Sequence, residues 1–453
     1  MNNISRVLIA NRGEIAVRII RACKALGIES VVAVSEADKQ SLPAKMADRC
    51  VCIGPPRASD SYLNVNILVA AALGTGANAL HPGYGFLAEQ PTLAEACQKH
   101  GIRFIGPSPE SIRKMGNKVS ARKIVGDCGI STIPGSEGAR ELKEAHARSE
   151  ELGFPVLLKA AAGGGGRGMK VVHSHEDLAN AFDTLSSEVQ SAFGDGTLFI
   201  ERYILNARHI EVQILADRFG STIHLGERDC SIQRRYQKLI EESPSIVLSD
   251  GLRRQICDAA VTIAKRIKYQ SAGTIEFVFD LDKQQFYFLE MNTRIQVEHP
   301  VTEEITGVDL VQEQIKVADD QPLSISQAEM GVKGHAIECR INAESPFSSF
   351  LPCPGKISQW NSPQGKGIRV DTHCYCGYKV PPYYDSLLAK VITWGNDRNE
   401  SVERMCFALR QFAIAGVDTT LEFHQRLLKH PDFRAGKINT QWVENVMLAD
   451  FER

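Results

Sequence analysis

The pattern of apolar and polar positions predicts alternating strands and helices from the first residues. Residues 6–10 form a short apolar run, and residues 14–26 repeat apolar side chains at helical spacing. A second apolar run at 30–35 completes a strand, helix, strand unit, whose right-handed connection would build a parallel sheet. Further strand-like runs at 50–53, 77–80 and 103–105 alternate with helical stretches. We therefore expect one N-terminal α/β domain over residues 1–115.

The pattern then changes twice. Short strands surround a glycine run within residues 130–204, which predicts a smaller, mobile lid at about 131–204. Later segments alternate apolar and polar residues, which predicts an antiparallel sheet with helices; these segments are 209–215, 222–225, 274–280 and 285–292. The expected fold class is α/β and α+β, with a central region at 116–319 that includes the lid and a C-terminal domain at 320–453.

Composition excludes several classes of protein. Apolar residues make up 43% of the 453 residues and charged residues 23%, which is typical of a globular chain rather than a disordered one. The 52 Lys and Arg against 54 Asp and Glu leave a net charge of −2, which predicts no nucleic-acid partner. Neither a membrane span nor a secretory signal stands out, so no membrane partner is expected. Twelve cysteines without Cys-x-x-Cys spacing suit a reducing cytoplasm.

A glycine-rich loop is the first candidate binding feature. Lys159 ends a predicted strand, and four consecutive glycines at 163–166 precede Arg167. Glycines let backbone N–H groups approach a polyphosphate closely, and the two cations add charge. The alternative is a flexible hinge loop without a ligand. The turn at 11–14 carries only one glycine, which argues against a dinucleotide-binding dehydrogenase.

A second feature is a polar repeat with a period of two. If residues 290–299 are extended, this period aims five polar side chains at one face and Met291, Ile295 and Val297 at the other; the five are Glu290, Asn292, Arg294, Gln296 and Glu298. The alternative is a solvated edge strand. Carboxylates, amides and a guanidinium next to an apolar hairpin favour a binding site.

The hairpin before this repeat predicts a cation site. Pairing Asp280 with Phe286 sets Glu276 directly opposite Glu290. Two carboxylates about 5 Å apart destabilise a ladder unless a cation lies between them. Oxygen ligands without sulfur suit Mg²⁺ or Mn²⁺, and Asn292 lies on the same predicted face. A third cluster, at 227–238, is rich in cations and is either a solvated loop or a clamp for anions.

Taken together, four segments resemble one known family. Residues 10–16, 81–86, the glycine loop and residues 290–300 closely resemble the biotin carboxylases of the ATP-grasp superfamily, especially the free-standing subunit of bacterial acetyl-CoA carboxylase. The resemblance implies a Rossmann-like preATP-grasp domain, an ATP-grasp fold with a mobile lid, and a C-terminal biotin carboxylase domain. It also implies a ligase that carboxylates biotin with bicarbonate and ATP through carboxyphosphate, for malonyl-CoA and fatty-acid synthesis.

The resemblance further assigns roles to residues. The catalytic residues would be Glu298 as base with Arg294, Arg340 and Lys238. Bicarbonate would contact Lys238, Arg294, Gln296 and Val297, and biotin would lie near Tyr84 and Arg340. The magnesium or manganese ligands would be Glu276, Glu290 and Asn292. The ATP contacts would be Lys118, Lys159, Gly165, Gly166, Glu201, Arg202, Tyr203, Ile204, His209, Gln233, Tyr236, Glu276 and Glu290.

Some residues depart from the family pattern. Tyr236 stands where histidine is usual, Arg202 where lysine is usual, and residues 160–162 read Ala-Ala-Ala before the glycines. These departures leave open a biotin carboxylase that serves pyruvate, urea or another acyl-CoA. Further alternatives are a different ATP-grasp carboxylate-amine ligase and a non-catalytic protein that only binds a nucleotide. No biotinyl Ala-Met-Lys-Met motif occurs before Arg453, so the biotin carboxyl carrier protein and the carboxyltransferase are expected on separate chains. The resemblance also implies a homodimer.

Overall fold

The N-terminal part of the chain is a five-stranded parallel sheet with helices, as the sequence predicts. A computed structural model describes residues 3–136, 138–160, 168–193 and 196–451. The sheet has the strand order β3-β2-β1-β4-β5, and all of its pairings are parallel. The elements are β1 Arg6–Ile9, α1 Gly13–Ala25, β2 Glu29–Val34, α2 Leu42–Met46, β3 Arg49–Cys52, α3 Val65–Thr75, β4 Ala79–His81, α4 Pro91–Lys99, β5 Arg103–Phe104 and α5 Pro109–Gly116.

A small unit follows, built on a three-stranded antiparallel sheet with the order β7-β6-β8. Two helices pack on it, and Leu158, Leu178 and Ile200 belong to its own buried cluster. The unit falls in the region predicted as a lid. Its elements, with the helix that precedes them, are α6 Lys118–Asp127, α7 Leu142–Leu152, β6 Val156–Ala160, β7 Met169–Val172, α8 His175–Phe193 and β8 Leu198–Arg202.

The rest of the chain is organised around an antiparallel sheet of eight strands. Its order is β13-β12-β9-β10-β11-β14-β21-β19. The first elements are β9 Ala207–Ala216, β10 Thr222–Arg234, β11 Gln237–Ser243, α9 Asp250–Arg266, β12 Ser271–Asp280, β13 Gln285–Asn292, α10 His299–Thr306 and α11 Leu310–Ala318. The strand predicted at 222–225 is therefore longer and extends through most of the cation-rich cluster.

The C-terminal part contributes three strands to the large sheet and adds three two-stranded sheets. Its elements are β14 His335–Asn342, β15 Glu344–Ser345, β16 Leu351–Pro352, β17 Gly355–Lys356, β18 Gln359–Asn361, β19 Ile368–Thr372, β20 Lys379–Val380, β21 Leu387–Gly395, α12 Arg398–Gln411, β22 Ala413–Ala415, α13 Leu421–Leu427, α14 Pro431–Arg434 and α15 Leu448–Phe451.

The predicted register of the hairpin β12–β13 is wrong next to the turn and correct at Glu276 and Glu290. Asp280 pairs with Gln285 and not with Phe286. An irregularity between Glu276 and Phe277 then shifts the ladder by one residue, so that Glu276 still lies opposite Glu290. A bulge of this kind cannot be read from alternation alone, because it inserts one unpaired residue.

The prediction that residues 290–299 are extended throughout is wrong. The strand β13 ends at Asn292, and residues 293–298 form irregular turns that lead into α10. The polar side chains nevertheless converge, because the turn curls around the end of the sheet. Val297 also lines the cleft, so it is not confined to the opposite face.

The N-terminal domain and the large sheet share one core. A buried cluster joins Ile15 and Ile19 of α1 to Leu215 of β9 and to Leu310 and Ile315 of α11. The twelve cysteines, all within the described residues, are free thiols. No described helix combines the length and the apolar character needed to cross a membrane.

Candidate active site

One cleft of about 1460 Å³ brings the predicted site residues together from all three parts of the chain. It is lined by Tyr84, Lys118, Lys159, Glu201, Arg202, Tyr203, Ile204, His209, Gln233, Tyr236, Lys238, Glu276, Glu290, Asn292, Arg294, Gln296, Val297, Glu298 and Arg340. Gly165 and Gly166 fall outside the described residues. The fold thus places the proposed ATP, metal, bicarbonate and biotin residues in a single space, while their individual roles remain predictions.

Lys238 lies at the centre of the cleft among three carboxylates. Its ammonium donates to Glu211 at 2.6 Å, to Glu276 at 3.0 Å and to Glu298 at 2.6 Å. Burial would lower the pKa of Lys238, but the three carboxylates outweigh it and hold that pKa well above its usual value. Lys238 is therefore a fixed positive charge that organises the carboxylates around it.

Glu298 lies immediately before α10 and bridges two cations. One carboxylate oxygen accepts from Lys238, and the other accepts from Arg340 at 2.7 Å. The residue is 2% exposed. Burial alone would raise the pKa of Glu298, but Lys238 and then Arg340 overcome that effect and lower the pKa below its usual value. Glu298 is ionised at neutral pH and can accept a proton.

Arg340 on β14 holds a second buried carboxylate. Its Nε donates to Glu241 at 2.6 Å, next to its contact with Glu298. Burial raises the pKa of Glu241 to about 7, against the lowering effect of Arg340. One guanidinium thus fixes two acidic groups in a forked arrangement that a lysine cannot copy.

The proposed metal ligands lie across the hairpin. Glu276 is 4% exposed and accepts from Lys238, Asn292 and Gln296 through one oxygen. The side chain of Glu290 opposite it forms no hydrogen bond or ion pair with the described residues and is exposed to the cleft. Although the side chain is exposed to the cleft, partial desolvation there, and then the charges of Glu276 and Glu89, raise the pKa of Glu290. An unpaired carboxylate facing a second one fits a divalent cation with oxygen ligands.

Arg294 and Gln296 form the polar wall beside these carboxylates. Arg294 donates to Glu89 at 2.9 Å and to the Asn292 side chain at 3.0 Å. Gln296 donates to Glu276 at 2.7 Å and accepts from Arg228 at 2.8 Å. The two side chains are therefore oriented before any ligand binds, which reduces the entropy lost on binding.

The other end of the cleft is formed by the small sheet. Glu201 on β8 lies 2.5 Å from the ammonium of Lys159 and 2.5 Å from a guanidinium nitrogen of Arg122. The neighbouring Arg202 donates to the Tyr287 hydroxyl at 2.9 Å, and the Tyr203 hydroxyl accepts from Gln441 at 2.9 Å. Lys159 is the residue that leads into the glycine loop, so this end suits a phosphorylated ligand.

His209 is buried in the cleft, whereas Tyr236 is exposed at its mouth. The imidazole of His209 lies 3.1 Å from a Glu276 oxygen. Burial would lower the pKa of His209, but the Glu276 carboxylate raises it to about 9. Tyr236 lies in the turn between β10 and β11 with a left-handed φ of 64°, and it is 46% exposed at the cleft mouth. The ring of Tyr236, which stands where the family usually has histidine, can therefore contact a ligand without displacing core residues.

The loop that carries Tyr84 is fixed by Asn11. The Asn11 amide donates to the backbone carbonyls of Pro82 and Tyr84, each at 2.7 Å. Gly83 has a φ of +63°, and a Cβ there would lie 2.9 Å from the Asn11 amide nitrogen. The glycine is required by this close approach, and the Tyr84 hydroxyl in turn donates to Glu14.

Sequence reasoning missed several residues of the site. The buried carboxylates Glu211 and Glu241 and the partly exposed Glu89 contact the predicted site residues Lys238, Arg340 and Arg294. Arg228 lies in the predicted cation-rich cluster at 227–238, but its contact with Gln296 was not foreseen. Glu211 had a usable signal, because His209, Glu211 and Gln213 alternate along one strand. Glu89 had none, since its contact with Arg294 depends on how two distant segments pack.

Family models match along nearly the whole chain. The model described as "Biotin carboxylase, N-terminal domain" matches residues 3–112, and "Biotin carboxylase C-terminal domain" matches residues 338–445. Between them, "Carbamoyl-phosphate synthase L chain, ATP binding domain" matches residues 117–326. The "Biotin carboxylase 1" of Bacillus subtilis is 53% identical over 442 residues, which is 97% of this chain and 98% of that protein. The chain belongs to the biotin carboxylase family.

Two further relatives are named for other carboxylases. A pyruvate carboxylase subunit of Methanothermobacter thermautotrophicus is 49% identical, covering 97% of this chain and 89% of that protein. A solved structure of the biotin carboxylase domain dimer of Hydrogenobacter thermophilus 2-oxoglutarate carboxylase, with MgADP, ADP and bicarbonate, has a TM-score of 0.93 at 48% identity. It covers 97% of each chain. The enzyme is therefore a ligase of the biotin carboxylase type.

Proposed function

We propose that the enzyme carboxylates N1′ of biotin on a carrier protein, using bicarbonate and ATP, as part of acetyl-CoA carboxylase. The observation that carries the proposal is Glu298, an ionised carboxylate held between Lys238 and Arg340. Such a group can take a proton from an anion, because the flanking cations offset the repulsion between two negative charges. Membership of the biotin carboxylase family supports the same reaction.

The first step concerns bicarbonate. Lys238, Arg294 and Gln296, with the backbone of Val297, would hold the anion beside Glu298. Transfer of the bicarbonate proton to Glu298 leaves an oxyanion, which attacks the γ-phosphorus of ATP. The bond from the γ-phosphorus to the β,γ-bridging oxygen breaks, ADP leaves with that electron pair, and carboxyphosphate forms.

The second step concerns biotin. Carboxyphosphate releases CO₂ and phosphate, the phosphate takes the N1′ proton, and the nitrogen attacks CO₂. The guanidinium of Arg340 would stabilise the negative charge on the ureido oxygen, and Tyr84 lines the same cleft. A Mg²⁺ or Mn²⁺ ion held by Glu276, Glu290 and Asn292 would neutralise phosphate charge.

The test is bicarbonate-dependent ATP hydrolysis with free biotin and Mg²⁺. Biotin should stimulate turnover, and Glu298→Gln should lower it by about 10²- to 10⁴-fold while nucleotide affinity persists, because the change removes the base and keeps the shape. Turnover without biotin dependence would instead indicate another ATP-grasp ligase. No turnover by the wild type would favour a protein that only binds the nucleotide.

The final acceptor of the carboxyl group could instead be a 2-oxo acid such as pyruvate or 2-oxoglutarate. The Methanothermobacter pyruvate carboxylase chain and the 2-oxoglutarate carboxylase domain match almost as well as the Bacillus protein. Carboxylation of purified biotinylated carriers from each type of carboxylase separates these cases, and our proposal expects the acetyl-CoA carboxylase carrier to be the best substrate. The carrier and the transferase would be separate chains.

The assembly and location follow the same proposal. The dimer in the Hydrogenobacter structure supports a homodimer, which light scattering in solution can test. Twelve free thiols suit a reducing compartment such as the cytoplasm.

A further inference from the structure

A buried lysine outside the predicted site contacts the segment that carries Glu298. Lys390 is in the middle of β21, and none of its side chain is exposed. Its ammonium donates to the backbone carbonyl of Val297 at 2.7 Å. It also lies 3.1 Å from the Glu14 carboxylate and 4.0 Å from Asp371. A charge buried this completely requires partners, and the chain supplies them at this point.

The same lysine links the part of the cleft proposed for biotin to the part proposed for bicarbonate. Glu14 accepts from the Tyr84 hydroxyl, so one chain of contacts runs from Tyr84 through Glu14 and Lys390 to Val297. Tyr84 lies where biotin is proposed to bind, and Val297 lies where bicarbonate is proposed to bind. Glu14 is 2% exposed, so water does not compete for these contacts.

The turn at 293–298 depends on such contacts. It lies beyond the end of β13, and a strand ladder therefore does not hold it. Within it, Gln296 accepts from Arg228 at 2.8 Å, and its backbone carbonyl lies 2.7 Å from His299 Nδ1. The Val297 carbonyl is held by Lys390, and a hydrogen bond from a charged donor is stronger than one from a neutral donor.

We propose that Lys390, with Glu14, is a positioning pair that fixes the Val297 peptide and so sets the place of bicarbonate and of the Glu298 carboxylate. The inference rests on the proposed function of the cleft. Neither residue touches the reacting atoms, because Lys390 acts through the peptide and Glu14 acts through Lys390. A displacement of about 1 Å at a reacting group can cost about 100-fold in rate.

The test uses a double variant, because Lys390→Met alone would leave Glu14 buried without its cation. Lys390→Met combined with Glu14→Gln removes both charges and keeps an acceptor for Tyr84. We expect kcat/KM for bicarbonate to fall by about 10- to 100-fold, with KM for ATP within about threefold of the wild type. Lys390→Arg should show a smaller loss than the double variant, since it keeps a charged donor.

Arg398→Met provides a matched control. Arg398, the first residue of α12, pairs at 2.6 Å with Glu242, which is buried on β11 of the same large sheet, and neither residue lines the cleft. This variant should lower the unfolding temperature at least as much as the double variant and leave kcat/KM for bicarbonate within about threefold of the wild type. A folded double variant with the bicarbonate kinetics of the wild type would overturn the proposal.

Hydrogen exchange gives a readout that does not depend on the reaction. The double variant should exchange amides faster within residues 293–299, while Arg398→Met should not change them. If the wild type lacked biotin-dependent turnover, the proposed function would fail, and exchange would still decide whether Lys390 orders the segment. Equal exchange in the wild type and the double variant would refute the positioning role.

Discussion

Replacing Arg340 tests the arrangement around the proposed base. Arg340→Gln removes the charge that contacts Glu298 at 2.7 Å and Glu241 at 2.6 Å, and Arg340→Lys keeps a charge that can reach only one of the two carboxylates. The two variants therefore separate the effect of the positive charge from the effect of a guanidinium that contacts both carboxylates at once.

The two contacts of Arg340, with the typical energy of a charged hydrogen bond, give the size of each effect. A hydrogen bond to a charged group contributes about 1.5–3 kcal/mol. Loss of the contact between Arg340 and Glu298 would therefore reduce the population of correctly placed Glu298, and with it the turnover, by roughly 10- to 150-fold. Removing a donor aimed at developing negative charge typically costs about 10²–10³ in kcat. We expect Arg340→Gln to reduce biotin-dependent turnover by at least about 10²-fold and Arg340→Lys by about 10-fold.

The assay measures biotin-stimulated, bicarbonate-dependent ATP hydrolysis together with nucleotide affinity. Arg234→Gln is the matched control, because Arg234 lines the same cleft but donates to the backbone of Ser349 and lies over the Phe350 ring. Its activity should stay within about threefold of the wild type. Wild-type turnover in Arg340→Gln, or a loss confined to nucleotide affinity, would refute the reasoning.

Three further predictions concern other parts of the cleft. The pKa of Glu241, about 7 in the folded enzyme, exceeds its ordinary value of 4.5, so its contribution to stability is complete below pH 4.5 and is lost as pH rises towards 7. In urea unfolding, the free energy of unfolding of the wild type, measured relative to that of Glu241→Gln, should fall by about 3 kcal/mol between pH 4.5 and 7. A difference between the two proteins that does not change with pH would contradict this prediction. Glu290→Gln should raise the Mg²⁺ concentration needed for half-maximal activity by about 10-fold, whereas an unchanged requirement would remove Glu290 from the metal site. ATP should slow hydrogen exchange in the sheet β6–β8, and identical exchange with and without nucleotide would argue against a closing lid.

The fold was largely predictable, because its strands and helices have clear periodicity. The parallel sheet of the N-terminal domain follows from one strand, helix, strand unit with a short connection. The position of Glu276 opposite Glu290 was also correct, although the turn of the hairpin was displaced by one residue. Local pattern therefore located the facing carboxylates better than it located the turn.

The charge network was not predictable from pattern. Lys238 contacts Glu211 and Glu276 because β9, β11 and β12 bring side chains from 27 and 38 positions apart to one place. Lys390 and Glu14 are 376 positions apart in the sequence, and each would be interpreted as an ordinary residue of its strand or helix. Tertiary packing, and not periodicity, decides such contacts.

The fate of the bicarbonate oxygens tests the central claim most directly. If bicarbonate, deprotonated by Glu298, attacks the γ-phosphorus, one of its oxygens remains on the phosphate when carboxyphosphate releases CO₂. With ¹⁸O-labelled bicarbonate, free biotin and Mg²⁺, the account predicts inorganic phosphate carrying one ¹⁸O, formed by the wild type and lost with Glu298→Gln. Phosphate that carries only oxygen from ATP and solvent would show that water attacks the nucleotide, and it would contradict the account.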